Sequence, residues 1–274
     1  MIDFQQFNDM FFPDMPLSLV ISSADIAIHG INSDMPTDNR INILISCENL
    51  TNPRFTWYSH YNKYGEYGND AIHVYIYNHI SRLVKTERYT AIPFIYFRMR
   101  YFKRHYLEYF HHPRLQRPFA QKRFCLKINK SGLNPDIAKA VARISAFGQI
   151  DDISMYNKYI SNKSCYNSIE LLEVFNNYKF ILCFENSYNS GYITEKIFNV
   201  FFAKAIPIYC GSDQIDRYFT AESFIRPEDV ARLNALHNDE VLYNAAINCQ
   251  KIRSDYDDEH FLEEMQRVLT QRLQ

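Results

Sequence analysis

Residues 180–211 have the sequence FILCFENSYNSGYITEKIFNVFFAKAIPIYCG. A short apolar run (180–184) leads into a polar loop with one glycine, which is followed by a segment of helical character that opens at Glu195 and Lys196. A second apolar run (206–209) closes the stretch. The pattern predicts strand, loop, helix and strand, which is half of a doubly wound α/β domain. Such domains bind ligands at the carboxyl ends of their parallel strands.

Lys196 is unusual in this pattern because of its place in the predicted helix. A cation in the first turn opposes the positive end of the helix dipole, so the placement is mildly unfavourable unless an anion lies nearby. A bound diphosphate would reverse the sign, since backbone N–H groups and the lysine would then converge on the same negative charge. The pattern therefore favours an anionic ligand, such as a diphosphate, at this helix start.

The composition is that of a globular chain, and the length is sufficient for two domains. The chain has 274 residues, of which 47% are hydrophobic and 22% charged. This length accommodates two domains of about 120 to 150 residues each, and we predict lobes at 1–119 and 120–274. The net charge of −1 gives no reason to expect nucleic acid as a partner.

Cysteine usage and hydropathy bear on the compartment. The cysteines are far apart and form no CxxC pair, which predicts buried free thiols in a reducing compartment. No apolar run approaches the roughly 20 residues needed to span a bilayer, so the expectation is a cytoplasmic protein that is soluble or peripheral. The six cysteines are Cys47, Cys125, Cys165, Cys183, Cys210 and Cys249.

The rest of the chain repeats the alternation of strands and helices. Short β-branched or apolar runs predict further strands at 26–29, 41–46, 72–77 and 124–128. Helices are predicted at 137–146, with Pro135 suited to the first turn, at 168–176, and at 260–273. The adjacent acids Asp151 and Asp152 are expected on a solvated surface, as are Asp257 and Asp258. Two similar α/β lobes are the predicted architecture.

A basic, aromatic belt from residue 97 to residue 124 lies between the predicted lobes. It contains eight Arg or Lys residues and a single acid, Glu108. A solvated connector between domains is one interpretation. Peripheral contact with an anionic membrane is another, because basic side chains gain about 1 kcal/mol each near such a surface. Nucleic acid is the least expected partner, since no RNP, zinc-finger or helix-turn-helix signature accompanies the charge.

The opening stretch closely resembles the donor-binding signature of the α-1,3/4-fucosyltransferases. In that family FEN[ST] and YxTEK are separated by a short insert and followed by xxPxxxG, and FENSYNSGYITEK with AIPIYCG fits this pattern here. Residues 43–49 (ILISCEN) and 92–96 (IPFIY) resemble upstream family segments. The matching residues are Phe184, Glu185, Asn186, Ser187, Tyr192, Thr194, Glu195, Lys196, Pro207 and Gly211.

The resemblance implies a GT-B glycosyltransferase with two Rossmann-like lobes and an interlobe cleft. It implies transfer of L-fucose from GDP-fucose, with inversion and an α-1,3-type linkage, to a glycan such as a surface polysaccharide or lipopolysaccharide precursor. No metal cofactor is implied. The implied roles are Lys196 on the diphosphate, Glu195 on ribose or sugar hydroxyls, Tyr192 and Asn186 on the donor, and Glu48 as the general base.

The chain departs from the family at one position of the expected donor site. Family members usually place an arginine beside the diphosphate, in the helix after the first strand of the donor lobe, and Pro135 or Asp136 stands near that position here. Lys130, Lys139 or Arg143 are the candidate replacements. Two alternatives therefore stay open: a transferase for a different nucleotide sugar, and a catalytically silent protein that binds a nucleotide sugar or glycan. The oligomeric state is also open.

Overall fold

The structure is a computed structural model that describes residues 26–30, 41–46, 74–77, 90–128, 135–156, 168–186, 188, 191–253, 263 and 267. Glu48, Lys130, Asp257, Asp258 and most of the predicted helix at 260–273 lie outside these residues. The chain divides into two compact units. One comprises Met1–Tyr101, Asn189–Tyr192 and Asp257–Gln274, and the other Phe102–Tyr188 and Ile193–Tyr256. The domain boundary after residue 119 stays a prediction.

The first unit contains a parallel sheet of four described strands in the order β1-β2-β3-β4. β-Branched residues are frequent in them, and Ile41 and Ile43 of β2 are buried. The predicted strands at 26–29, 41–46 and 72–77 correspond to β1, β2 and β3. β4 was not predicted as a strand. The bounds are β1 Ile26–Gly30, β2 Ile41–Ser46, β3 Val74–Tyr77 and β4 Thr90–Pro93.

The second unit is built on another parallel sheet, in the order β6-β5-β7-β8. Every residue of the central strand β7 is buried, which explains its continuous apolar sequence. The strands are β5 Arg123–Lys127, β6 Ile150–Asp152, β7 Tyr178–Phe184 and β8 Ile206–Cys210. Together the two sheets confirm the prediction of two α/β lobes with parallel strands.

Six α-helices are described, and capping residues mark where several of them begin. Ser168 caps α3 through its hydroxyl, which accepts from the Leu171 N–H, and Thr194 caps α4. Pro135 is the first residue of α2, as predicted. The bounds are α1 Phe94–Phe110, α2 Pro135–Ile144, α3 Ile169–Asn176, α4 Glu195–Phe202, α5 Val230–Asn238 and α6 Glu240–Asn248.

The basic, aromatic belt is a packed part of the fold rather than an open connector. Its first half belongs to helix α1, in which Phe102 is buried and its ring lies 5.0 to 5.9 Å from the rings of Phe198, Phe201 and Phe202 in α4. Such ring pairs add to the stabilisation from apolar burial. Phe102 of the belt thus packs against α4, the helix that carries Lys196.

At least three of the eight cations in the belt are engaged inside the second unit. Arg114 pairs with Glu173, and Arg123 Nη2 lies 2.6 Å from Asp151 Oδ2. The Lys122 ammonium donates to the backbone carbonyls of Asn176 (2.7 Å) and Lys204 (3.0 Å). Burial, with a smaller effect of nearby Lys204 and Arg117, lowers the pKa of Lys122 to about 7. Fewer cations are therefore available for a membrane surface than the sequence suggests.

Asp151 corrects the prediction of a solvated acid pair. Its carboxylate is buried and accepts hydrogen bonds from Tyr178 Oη (2.8 Å) and Gln149 Nε2 (2.7 Å), besides the ion pair with Arg123. Asp152 is more exposed, and its Oδ2 lies 2.7 Å from Lys127 Nζ. The two acids differ because neighbouring residues of β6 point to opposite faces of the sheet, which the sequence alone does not reveal.

The structure bears on the predictions about membrane spans and about the cysteines. No described helix is long and apolar enough to cross a bilayer. The four cysteines in the described part of the chain are free thiols, as predicted, but only Cys125 and Cys183 are also buried as predicted, whereas Cys210 and Cys249 are half-buried. Cys47 and Cys165 lie outside the described residues. Contact with an anionic membrane stays a prediction.

Candidate functional site

The candidate site is built around a buried carboxylate at the carboxyl end of β7. Glu185 follows this strand directly and has no exposed surface. Its Oε1 accepts from the Thr194 backbone N–H (2.8 Å), while its Oε2 accepts from Thr194 Oγ1 (2.8 Å) and Lys196 Nζ (2.9 Å). A charge this deeply buried is tolerated only when it is paired and hydrogen-bonded, and Glu185 meets both conditions.

Thr194 joins the strand end to the helix start. As the N-cap of α4 it has extended backbone dihedrals (φ −105°, ψ −177°), and its hydroxyl accepts weakly from the Lys196 N–H (3.4 Å). The same hydroxyl donates to Glu185, so one side chain links the cap to the buried carboxylate. The start of α4 is consequently held at the carboxyl edge of the sheet, where α/β domains bind ligands.

Lys196 is largely buried, and its side chain retains 17% of its exposure. Burial alone would lower the pKa of Lys196, but the negative charges of Glu185 and Glu195 outweigh that effect and raise the pKa above its usual value. The ammonium group therefore stays charged at neutral pH. Since one of its three N–H groups donates to Glu185, up to two can donate to a ligand.

The ion pair between Lys196 and Glu185 shows which anion compensates the lysine in the first turn of α4. The sequence alone favours an external diphosphate as the compensating anion. In the structure a carboxylate of the chain itself, that of Glu185, lies 2.9 Å from the lysine. Lys196 is therefore compensated without any ligand, and a role on a diphosphate stays a prediction.

Gly211 leaves room for this carboxylate at the carboxyl end of β8. A Cβ atom at Gly211 would lie 2.5 Å from Tyr209 Oη and 2.6 Å from Glu185 Cγ. Neither neighbour moves easily, because Tyr209 is buried with its Oη accepting from the Ser212 N–H, and the Glu185 N–H donates to the Cys210 carbonyl. The glycine of the sequence motif is thus required by close packing.

We expect Gly211→Ala to lower the free energy of unfolding by about 1 to 3 kcal/mol, since the new methyl group overpacks a buried site. Urea unfolding followed by circular dichroism measures this change. A midpoint equal to that of the wild type would contradict the prediction, because it would mean that Tyr209 or Glu185 yields without cost.

The structure places the predicted donor-binding residues Asn186, Glu195 and Lys196 in this one region of the second sheet. Asn186 follows Glu185 and is exposed, and Glu195 is the half-buried first residue of α4. Tyr192 is buried. The proposed base Glu48 and the candidate cation Lys130 lie outside the described residues. The roles of all these residues stay predictions.

The candidate replacements for the family arginine lie on α2. Arg143 is in the last turn of this helix, is exposed, and donates through Nη1 to the carbonyl of Pro227 (3.3 Å). Lys139 is 74% exposed and pairs with Asp136 at 3.1 Å. Neither side chain contacts Glu185 or Lys196 among the interactions of the described residues, and their part in donor binding stays a prediction.

Sequence reasoning missed two charged residues near this edge of the sheet. Glu185 is part of the recognised motif but was assigned no role, and an acid directly after a fully apolar strand was the available signal. Lys127, the last residue of β5, pairs with Asp152 at 2.7 Å. Its position at the end of a predicted strand was the signal there.

The described residues contain no group of three or more His, Cys, Asp or Glu side chains that could hold a metal ion. Independence from metal stays a prediction.

Comparison with solved structures identifies the class of fold. The chain is similar to an α1,3-fucosyltransferase solved with GDP-fucose, with a TM-score of 0.54 and 18% identity over 89% of this chain and 78% of that chain. A structure described simply as α1,3-fucosyltransferase gives a TM-score of 0.57 at 18% identity, over 89% of this chain and 77% of that one. The predicted GT-B fold is thereby confirmed.

Sequence comparison then shows which family the second half of the chain resembles. Residues 129–246, which contain Glu185, Lys196 and Gly211, match the model of the carboxyl-terminal domain of glycosyltransferase family 10 (fucosyltransferase). The predicted resemblance to the α-1,3/4-fucosyltransferases is thus confirmed for this part of the chain.

Two curated relatives show the same similarity. The chain is 41% identical over 94 residues to the α-(1,3)-fucosyltransferase FucT of Helicobacter pylori, which covers 34% of this chain and 18% of that protein. It is 32% identical over 96 residues to the mouse 4-galactosyl-N-acetylglucosaminide 3-alpha-L-fucosyltransferase 9, covering 34% of this chain and 23% of the relative. The matched segment thus spans about a fifth of each relative's own length.

Proposed function

We propose that the protein is an inverting glycosyltransferase that moves L-fucose from GDP-fucose to a hydroxyl group of a glycan, in an α-1,3-type linkage. The observation that carries the proposal is the pairing of Lys196 with Glu185 at the start of α4, inside the segment that matches the fucosyltransferase family. The relative solved with GDP-fucose supports the choice of donor.

In the proposed reaction the acceptor oxygen attacks the anomeric carbon of fucose as the bond to the diphosphate breaks. Glu48 takes the proton of the acceptor hydroxyl, and GDP leaves carrying the negative charge. The remaining N–H groups of Lys196 stabilise that charge, which is worth most where water is excluded. Glu185 holds the ammonium group in place, so little reorganisation is needed during the reaction.

The test is a panel of nucleotide sugars assayed with mono- and disaccharide acceptors. We expect transfer from GDP-fucose and none from UDP- or ADP-sugars. If another nucleotide sugar reacts and GDP-fucose does not, the donor assignment is wrong and the first alternative holds. If GDP binds in calorimetry but no donor turns over with any acceptor, the protein is a silent binder.

We further propose that catalysis needs no divalent metal, because a lysine and a helix amino terminus carry the charge of the leaving group. The rate of fucosyl transfer is expected to stay unchanged when EDTA is added to metal-free buffer, and to gain less than about twofold from added Mg²⁺ or Mn²⁺. A loss of activity in EDTA that is restored by either ion would contradict this expectation.

We also propose a cytoplasmic location with peripheral contact to an anionic membrane, where a lipopolysaccharide precursor would be the acceptor. The exposed side chains Lys103 and Arg104 of α1 are the residues that support it. A larger fraction of the protein is expected to sediment with phosphatidylglycerol vesicles than with phosphatidylcholine vesicles. The double variant Lys103→Glu/Arg104→Glu should remove this difference. Equal sedimentation of the wild type with both lipids would contradict the proposal.

A further inference from the structure

A cavity lies in the second unit, on the side of the sheet where β5 and β7 begin. It has a volume of about 760 Å³, which is within the usual range for sites that bind small molecules. One wall consists of the 3-10 turns Pro113–Leu115 and Phe119–Gln121, and the other is helix α3. Lys196 is near the opposite ends of the strands, and β7 alone, with seven residues, is roughly 23 Å long.

The walls of the cavity are held together by hydrogen bonds from Asn176. This buried side chain accepts from the Arg117 N–H (3.0 Å) and donates to the carbonyls of Leu115 (3.3 Å) and Ala203 (2.8 Å). The backbone carbonyl of Asn176 also accepts from the Lys122 ammonium group. The turns and α3 are therefore fixed relative to each other, and the cavity is preformed, which lowers the entropic cost of binding.

The charges that line the cavity are balanced. Arg114 forms two hydrogen bonds with Glu173, and Glu170 lies 3.8 Å from the same guanidinium group. With Arg117, the lining contains two cations and two anions. An anionic ligand would meet two carboxylates and a cationic ligand would meet two guanidinium groups, so the balance favours a neutral ligand.

Several polar side chains of the lining have hydrogen-bonding capacity to offer. Within the described residues, the side chains of Arg117, Gln121 and Asn177 form no hydrogen bond with the protein. They supply amide and guanidinium donors and amide acceptors, and Glu170 adds a further acceptor. Sugar hydroxyl groups both donate and accept, so they match such a mixed set better than ligands that only donate or only accept.

We propose that this cavity binds a neutral oligosaccharide, separately from the nucleotide sugar. Arg117, Gln121 and Asn177 hydrogen-bond its hydroxyl groups, and the ring carbons of Pro113 and Pro118 supply apolar surface beside them. The inference goes beyond the proposed transferase activity and does not depend on it, because a silent binder with this fold would have the same cavity.

The test is saturation-transfer NMR of the full chain with neutral di- and trisaccharides, at saturating GDP to keep the nucleotide site occupied. Arg117→Ala/Gln121→Ala removes two exposed side chains and keeps the Arg117 N–H that bonds Asn176. Arg104→Ala, an exposed arginine of α1 outside the cavity, is the matched control. We expect saccharide binding to weaken at least tenfold in the double variant and to stay unchanged in the control.

Equal saccharide affinity in the double variant and the wild type would overturn the proposal, as would binding that disappears when GDP is added. An absence of binding for every saccharide would overturn it too, and so would selective binding of a peptide ligand. The far-ultraviolet circular dichroism and melting temperature of each variant are compared with the wild type. If the double variant is unfolded, Arg117→Gln alone is tested by the same titration. GDP affinity is measured separately and reports on the nucleotide site. A failure of the proposed transferase function is therefore distinguishable from a failure of the proposed saccharide site.

Discussion

Lys196→Met is expected to lower the free energy of unfolding by about 3 to 5 kcal/mol, because it leaves the buried carboxylate of Glu185 without its cation. The hydrogen bonds from Thr194 remain, but they do not neutralise the charge. Urea unfolding of the wild type and the variant measures the change. Lys251→Met, which removes an exposed lysine in the same unit, is the control and should change stability by less than about 0.5 kcal/mol.

The double variant Glu185→Gln/Lys196→Met is expected to recover most of that stability. Replacing both members of a buried ion pair by neutral groups of similar size is often nearly neutral, in contrast to removing one member. The amide oxygen that this variant carries at position 185 can still accept from Thr194. A double-mutant cycle gives the coupling energy of the pair. If the single variant is as stable as the wild type, the buried pair is not important for folding.

Donor binding separates a structural role of Lys196 from a functional one. If Lys196 contacts the diphosphate, the double variant should fold well and still bind GDP at least about tenfold more weakly than the wild type, since a charge-assisted hydrogen bond is lost. Calorimetry on the double variant measures this. GDP affinity equal to that of the wild type would show that Lys196 serves the fold alone. A simple Lys196→Ala variant could not make this distinction, because a loss of folding would also abolish binding.

Local patterns predict the strands of this chain well where burial dictates the sequence. The apolar runs at 180–184 and 206–209 become β7 and β8, because strands of a parallel sheet that are covered on both faces are continuously apolar. β6, with the sequence Ile-Asp-Asp, has no such run and was missed. The first-turn proline was equally predictable, since its effect lies within one turn of helix.

The chemistry of the candidate site was predictable only in part. The motif identified Lys196, but its partner Glu185 lies eleven residues earlier, across a loop. Helical and strand periodicities relate residues two to four positions apart, so they do not predict a pair formed where a loop returns to the strand end. Asp151 illustrates the same limit, because its partners Arg123 and Tyr178 lie on two other strands.

Glu48→Gln is expected to lower the turnover number for fucosyl transfer by about 10²- to 10⁴-fold, because an amide cannot take the proton of the acceptor hydroxyl. Glu48 follows two residues after the last residue of β2, Ser46, and itself lies outside the described residues. Because carboxylate and amide are nearly the same size, the affinity for GDP-fucose should change by less than about threefold. Steady-state kinetics and calorimetry on the same preparations measure the two quantities.

The pH dependence provides an independent check on the same residue. If Glu48 is the base, the wild-type rate should fall at acidic pH as the carboxylate is protonated, and the residual rate of Glu48→Gln should lack that acidic limb. Glu108→Gln, an exposed glutamate on α1, is the control and should keep both the rate and the limb. If Glu48→Gln turns over as fast as the wild type, another group accepts the proton. A slower variant that retains the limb would mean that Glu48 orients the acceptor while a different group titrates.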